Sequence, residues 1–161
     1  MLTHTPDHVL SDVQPGESIL ILTPITADAL NRMADQNPQV RIVLAVDSAD
    51  DIPRAGKQVP SENVTYWVGK VGNHLDMLLG FRRILTRPSY DTLAFAAKAL
   101  SDRGEIVVVA DQERPAGIEE ADIVAKDFCR CYGFSVFDKL TVGGGYNLFL
   151  HCFCRDQMAG E

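Results

Sequence analysis

The side chains most able to do chemistry sit in a few short segments. Cys129, Cys131, Cys152 and Cys154, with His151 beside the second pair, carry the donor atoms of a zinc site. Their spacing argues against one. Zinc ligands usually converge from turns at C-x₂₋₄-C intervals. Cys129 and Cys131 fall instead within a helical pattern, where residues two apart diverge. Cys152 and Cys154 would share one face of a strand, roughly 7 Å apart. The four therefore read as small buried apolar residues, and no metal is expected.

Arg82, Arg83 and Arg87 form a basic cluster. Guanidinium groups offer rigid paired donors that match carboxylate or phosphate, so the cluster reads either as an anion site or as a solvated loop. His74, within Val71-Gly72-Asn73-His74, is a candidate general base. Asp111 opens the polar run Asp111-Gln112-Glu113-Arg114-Pro115 and is a further candidate for contacting a substrate. Asp47 ends an apolar run and either serves a ligand or caps the turn Asp47-Ser48-Ala49-Asp50. No phosphate-binding P-loop, H-E-x-x-H pair or ordered Ser-His-Asp set occurs.

The elements that must position these residues alternate between strand and helix. Ser18-Ile19-Leu20-Ile21-Leu22-Thr23 and Val40-Arg41-Ile42-Val43-Leu44-Ala45-Val46 are short, branched and mainly apolar, the pattern of strands covered on both faces. Between them, Thr26 to Gln36 predicts a helix with Ala29, Leu30, Met33 and Ala34 on one face, stopped by Asn37-Pro38. Ser48 to Asn63 reads as a loop with at most a short helix. Val64 to Gly69 predicts a third strand and Leu75 to Phe81 a fourth, which would put the arginine cluster just beyond that strand's end.

Ser89 to Ser101 predicts a helix capped by Ser89, with Gly104 past its end and a fifth strand over Glu105 to Ala110. Gln112 to Glu120 reads as a loop, and Ala121 to Tyr132 as a helix closed by Gly133. Two final strand-like runs, Phe134 to Val142 and Tyr146 to Cys154, flank Gly143-Gly144-Gly145 and predict an antiparallel hairpin. Strand–helix alternation implies a doubly wound parallel sheet, to which the hairpin adds an antiparallel strand.

Composition agrees with a single α/β domain preceded by a polar lead-in over residues 1–17. The chain has 161 residues, 46% hydrophobic and 23% charged, enough for one core without staples. Its 22 acidic against 15 basic side chains leave a net charge of −7, which disfavours general nucleic-acid binding. No apolar run approaches the ~20 residues of a membrane span, and the first residues lack signal-peptide character. A cytoplasmic protein with reduced cysteines is expected.

The second half resembles the class I S-adenosylmethionine (SAM) dependent methyltransferases. Leu93-Ala94-Phe95-Ala96-Ala97-Lys98-Ala99-Leu100-Ser101-Asp102-Arg103-Gly104-Glu105-Ile106-Val107-Val108-Val109 is similar to that family's fourth crossover helix, glycine turn and fifth strand. Tyr132-Gly133-Phe134-Ser135-Val136 resembles the entry to the sixth strand, and Tyr146-Asn147-Leu148-Phe149-Leu150 the seventh, antiparallel one. The resemblance implies a three-layer sandwich with a mainly parallel seven-stranded sheet in the order 3-2-1-4-5-7-6. It also implies a SAM site around Thr23, Asp47, Gly69 and Phe81, with Asp47 accepting from the ribose hydroxyls. His74, Arg82, Arg83 and Asp111 would then line the substrate edge.

One segment departs from that family. Where it carries a glycine-rich loop against the cofactor, this chain has Leu22-Thr23-Pro24-Ile25-Thr26-Ala27. Proline has no N–H to donate, and β-branched residues tolerate positive φ badly, so the loop cannot copy a glycine cradle. Two functions follow as expectations. One is a SAM-dependent methyltransferase acting on a small molecule or protein; the other is a non-catalytic scaffold of the same fold that dimerises or binds a protein partner.

Overall fold

The structure is a computed structural model that describes residues 10, 13–53, 62–69, 79–111, 115–141 and 147–154. In chain order the elements are β1 (Ser18–Leu22), α1 (Ala27–Gln36), β2 (Arg41–Val46), a single 3₁₀ turn (Ala49–Asp51), β3 (Val64–Val68) and β4 (Phe81–Thr86). They continue with α2 (Tyr90–Ala99), β5 (Leu100–Asp111), α3 (Pro115–Tyr132), β6 (Phe134–Thr141) and β7 (Asn147–Cys154). One sheet holds all seven strands in the order β3-β2-β1-β4-β5-β7-β6. The first five pair in parallel, and β7 runs antiparallel between β5 and β6. The connection between β6 and β7, with its three glycines, lies outside the described residues.

Strand alternation sorts the apolar side chains into two cores. Ile19 and Ile21 face α1 with Leu30, Met33, Ile42, Leu44, Leu85 and Val107. Leu20 and Leu22 face α2 and α3 with Ile84, Leu93, Ala96, Ile106, Val108 and Phe128. A sheet buried on both faces explains why β1, β2 and β5 read as unbroken apolar runs. The result is the expected three-layer arrangement. Leu10 and Val13, from the segment that reads as a polar lead-in, are buried in the α1-side core.

Helix boundaries follow their caps. Thr26 is the N-cap of α1, its Oγ1 accepting from the Ala29 N–H at 3.2 Å. Asn63 closes the other end of that layer, its Nδ2 donating to the carbonyls of Ala34, Asn37 and Val40 at 3.0 to 3.2 Å. Ser89 occupies the N-cap of α2, but its side chain makes no capping bond. Helix α3 starts at Pro115, earlier than the predicted Ala121, because proline suits the first turn, where its missing N–H has no partner to lose. It ends at Gly133, whose φ of 75° is the left-handed conformation that glycine adopts without strain.

The fourth strand departs most from the sequence reading. It runs over Phe81–Thr86 rather than Leu75 to Phe81. Phe81, Arg82 and Arg83 therefore stand at its beginning, toward the amino edge of the sheet, and only Arg87 follows its end. Two adjacent arginines disguise a run in which Ile84, Leu85 and Thr86 are fully buried. Arg83 joins them at 1% exposure because its Nη2 meets Glu105 Oε2 at 3.3 Å. Arg82 reaches Glu17 before β1, with Nε 3.7 Å from Oε2.

Candidate functional site

In an open parallel sheet the carboxyl edge gathers the loops that follow the strands, and ligands bind there. At this edge the ends of β1, β2 and β4 bound a cleft of about 660 Å³. That volume lies within the range of small-molecule sites. One wall is the turn from Thr23 to Thr26 and the start of α1; a second carries Asp47, Asp50 and Asp51 after β2; Arg87 and Thr92 come from the β4–α2 side.

The β2 wall has a specific local cause. Ser48 caps the 3₁₀ turn, its Oγ accepting from the Asp50 N–H at 3.3 Å, and its carbonyl accepts from Asp51 N at 3.0 Å. The capping role considered for Asp47 thus belongs to its neighbour. Asp47 is exposed, lines the cleft and makes no hydrogen bond with a described residue, so its acceptor capacity faces the cleft unspent.

The turn after β1 is built differently from a glycine loop. Ile25 is 3% exposed and packs into the core beside Ala29 and Leu30, which ties the turn down from below. Pro24 is exposed above it and lines the cleft. No described non-glycine residue takes a positive φ, so the turn is made without the left-handed positions that glycine supplies. Thr23 lies just past β1, 7% exposed, and lines the same cleft.

The β4 side is held by hydroxyls. The Arg87 carbonyl accepts from Thr86 Oγ1 at 3.1 Å, Thr92 Oγ1 at 3.2 Å and the Ser89 N–H at 2.8 Å. Thr92 Oγ1 also lies 3.1 Å from the Ser89 carbonyl.

The sequence-derived candidates separate on this geometry. Thr23 and Asp47 come together in the cleft. Gly69 follows β3 at the same edge, its N–H bonded to the Val46 carbonyl at 2.9 Å, but it does not line the cleft. Phe81 is corrected from a cofactor position to a core residue at the opposite end of β4. Arg82 and Arg83 are corrected from the substrate edge to structural ion pairs near the amino edge. Asp111 ends β5 at the carboxyl edge, where its backbone registers with Asn147. His74 lies outside the described residues.

Asp50, Asp51 and Thr92 are cleft residues that sequence reasoning missed. The S-x-D pattern of a short capped turn is the signal that could have placed the two aspartates there. Cys129 is buried and Cys131 exposed on α3, as divergent positions two residues apart require. Among the described residues no group of three His, Cys, Asp or Glu could hold a metal, and no helix is long and apolar enough to cross a membrane.

Comparison with known proteins is informative at the level of shape. No protein-family model matches the chain, and no curated protein matches it in sequence. Among solved structures, precorrin-6y C5,15-methyltransferase from Geobacter metallireducens superposes with a TM-score of 0.65 at 16% identity, over 91% of this chain and 85% of that one. A variant of the 16S rRNA (adenine(1408)-N(1))-methyltransferase from Catenulisporales acidiphilia gives 0.67 at 11% identity, over 93% and 91%. The fibrillarin pre-rRNA processing protein of Methanococcus jannaschii gives 0.65 at 12% identity, over 89% and 70%. The chain has the α/β fold of the class I SAM-dependent methyltransferases.

Proposed function

We propose that this protein is a SAM-dependent methyltransferase-like protein whose carboxyl-edge cleft binds the adenosine portion of SAM. The observation that carries the reading is Asp47: an exposed carboxylate at the end of β2, lining a cleft of about 660 Å³ and bonded to no described residue. A carboxylate in that state can accept from both hydroxyls of a ribose. Thr23 offers a hydroxyl at the adjacent strand end. SAM brings an activated methyl group, whose in-line transfer depends on alignment more than on acid–base chemistry. The chain's contribution would be to hold the ligand against the ends of β1 and β2 and to keep water from it.

A second reading is favoured by the turn after β1. Pro24 offers no N–H, and Ile25 is anchored in the core, so the methionine portion of SAM would meet no glycine cradle. On this reading the chain is a non-catalytic scaffold of methyltransferase fold that dimerises or binds a protein partner. A shared fold leaves both functions open.

Calorimetric and thermal-shift titrations with SAM and S-adenosylhomocysteine separate the two. Saturable binding at about a hundredfold excess over Kd stabilises the folded state by about 2.7 kcal/mol. Asp47→Ala is expected to reduce that binding by about tenfold. Folded protein that gives neither heat nor thermal shift at millimolar ligand removes the first reading and leaves the second.

A further inference from the structure

We propose that Arg87 is an anion-binding residue of the cleft, and that the ligand carries a carboxylate or phosphate where β1 and β4 leave the sheet. The inference rests on reading the cleft as a ligand site and adds the chemical character of what enters it.

Placement comes first. The last registered pair between β1 and β4 is Leu22 with Thr86, so Thr23 and Arg87 follow side by side at the carboxyl edge. Both line the cleft. Thr23 is more than nine-tenths buried, and its hydroxyl bonds to no described residue. A hydroxyl without a protein partner on the cleft wall is free to donate to, or accept from, a group that enters the cleft.

The backbone of Arg87 is fixed at its carbonyl. Its carbonyl takes hydrogen bonds from Thr86, Thr92 and Ser89, two of them from buried threonine hydroxyls. Pro88 further restricts the conformation of the residue before it. The side chain of Arg87 is exposed, while its backbone is held by the turn that leads into α2. That anchoring lowers the ordering cost of bringing a long side chain to a ligand, because only the side chain remains to be placed.

Charge supplies the remaining argument. Arg87 is the sole Lys, Arg or His among the described residues that line the cleft, and it shares that cleft with Asp47, Asp50 and Asp51. It forms no ion pair with any described residue, whereas Arg82 and Arg83 are both paired. A fork of donors that is positioned but unspent suits bidentate recognition of a planar or tetrahedral oxyanion. The ends of β2 and β4 are separated by β1, hence by two strand spacings, about 10 Å. A molecule bridging Asp47 and Arg87 is thus nucleoside-sized, with hydrogen-bond donors at one end and an anion at the other. That anion is either the amino-acid carboxylate of SAM or a group on a separate acceptor.

Amide-resolved NMR titration of the full chain with malonate and with inorganic phosphate tests the subsite directly, and calorimetry with S-adenosylhomocysteine and methylthioadenosine identifies the source. Wild-type protein is expected to show saturable shifts at Thr23 and Ser89, with affinity about tenfold lower in Arg87→Ala, the scale of one lost charge-assisted contact. Arg87→Lys should keep part of it, and Thr23→Val should weaken it. Loss of S-adenosylhomocysteine binding in Arg87→Ala, with methylthioadenosine unchanged, assigns the anion to the cofactor. Unchanged S-adenosylhomocysteine binding with lost malonate or phosphate binding assigns it to an acceptor. Malonate binding that depends on Arg87 in a protein deaf to both adenosyl ligands keeps this inference and rejects SAM. Equal binding of every probe by wild type and Arg87→Ala, or no anion binding at all with adenosyl ligands indifferent to Arg87, overturns it.

Discussion

Arg83 on β4 and Glu105 on β5 are register partners in adjacent parallel strands, and their side chains close a 3.3 Å ion pair inside the sheet layer. The arginine is 1% exposed and the glutamate 19%, so the pair is largely desolvated. Strand pleating puts both on the face shared by Leu85 and Val107, above the α1-side core. Breaking such a pair from one side leaves a charge uncompensated in a poor solvent. Glu105→Ala is therefore predicted to destabilise the fold by about 3 kcal/mol in chemical denaturation. The joint replacement Arg83→Met with Glu105→Leu should recover most of that loss, and a double mutant as unstable as the single one would show that the pair does more than satisfy itself.

Gly104 is predicted to be intolerant of the smallest substitution. Between Leu100 and Glu105 the register of β5 against β4 is interrupted, and Gly104 sits inside the interruption. A Cβ there would lie 2.8 Å from the Phe81 carbonyl oxygen and closer still to the Leu100 side chain. The leucine end can rotate, but the β4 backbone cannot. Gly104→Ala should cost about 1 to 3 kcal/mol, read from the denaturation midpoint with an unchanged slope.

What the sequence disclosed and what it hid can be traced to particular residues. Ile19 to Leu22, Ile42 to Val46 and Ile106 to Val109 are unbroken apolar runs, and burial on both faces is the only economical use for them; the five-stranded parallel sheet and its flanking helices follow. Phe81 to Thr86 hid because Arg82 and Arg83 imitate a loop, and the partner that makes a buried Arg83 tolerable stands on another strand. The candidate site was half legible. Asp47 was visible from its place after an apolar run, but whether it or Ser48 caps the next turn is a choice between adjacent hydrogen-bonding geometries. Arg87 could not be separated from Arg82 and Arg83 until the end of β4 was known.

The Asn63 amide clasp gives a third prediction. Its Nδ2 meets three carbonyls, those of Ala34, Asn37 and Val40, which lie where α1 turns into β2. Two N–H bonds are shared among three acceptors; the Ala34 and Asn37 carbonyls also accept from the Asn37 and Val40 N–H groups, so removing the amide chiefly loosens the cross-link between the α1–β2 turn and the start of β3. Asn63→Ala is expected to destabilise by about 1 to 2 kcal/mol. Amide exchange should then rise at the last turn of α1 before it rises in the central strands.

Pro24 and Ile25 should part company when substituted. Ile25 is core, and Ile25→Ala is expected to cost about 2 to 4 kcal/mol through the cavity it leaves. Pro24 is exposed on the cleft, so Pro24→Gly should change stability by less than about 1 kcal/mol while restoring an N–H and a flexible turn. If the turn alone limits SAM affinity, calorimetry of Pro24→Gly will show tighter binding than wild type. Unchanged or absent binding places the obstruction elsewhere in the cleft.

The last prediction concerns the α2–α3 layer. Tyr90 at the start of α2 donates its hydroxyl to Asp127 Oδ2 on α3 at 3.0 Å, and Asp127 Oδ1 accepts from Arg130 Nη2 at 3.1 Å. The hydrogen bond to the carboxylate holds the Tyr90 pKa above its ordinary 10.0, because ionising the phenol would destroy the bond and set two negative charges together. A raised pKa in the folded state means that this contact contributes fully below pH 10 and is lost as pH climbs through the higher folded value. Burial raises the Tyr66 pKa as well, so ultraviolet titration of the phenolate band should contain a late component that shrinks in Tyr90→Phe and partly moves down in Asp127→Asn. Both variants should flatten the alkaline fall in stability relative to wild type. An identical phenolate titration in wild type and Asp127→Asn would mean that the two helices are not joined in solution through this bond.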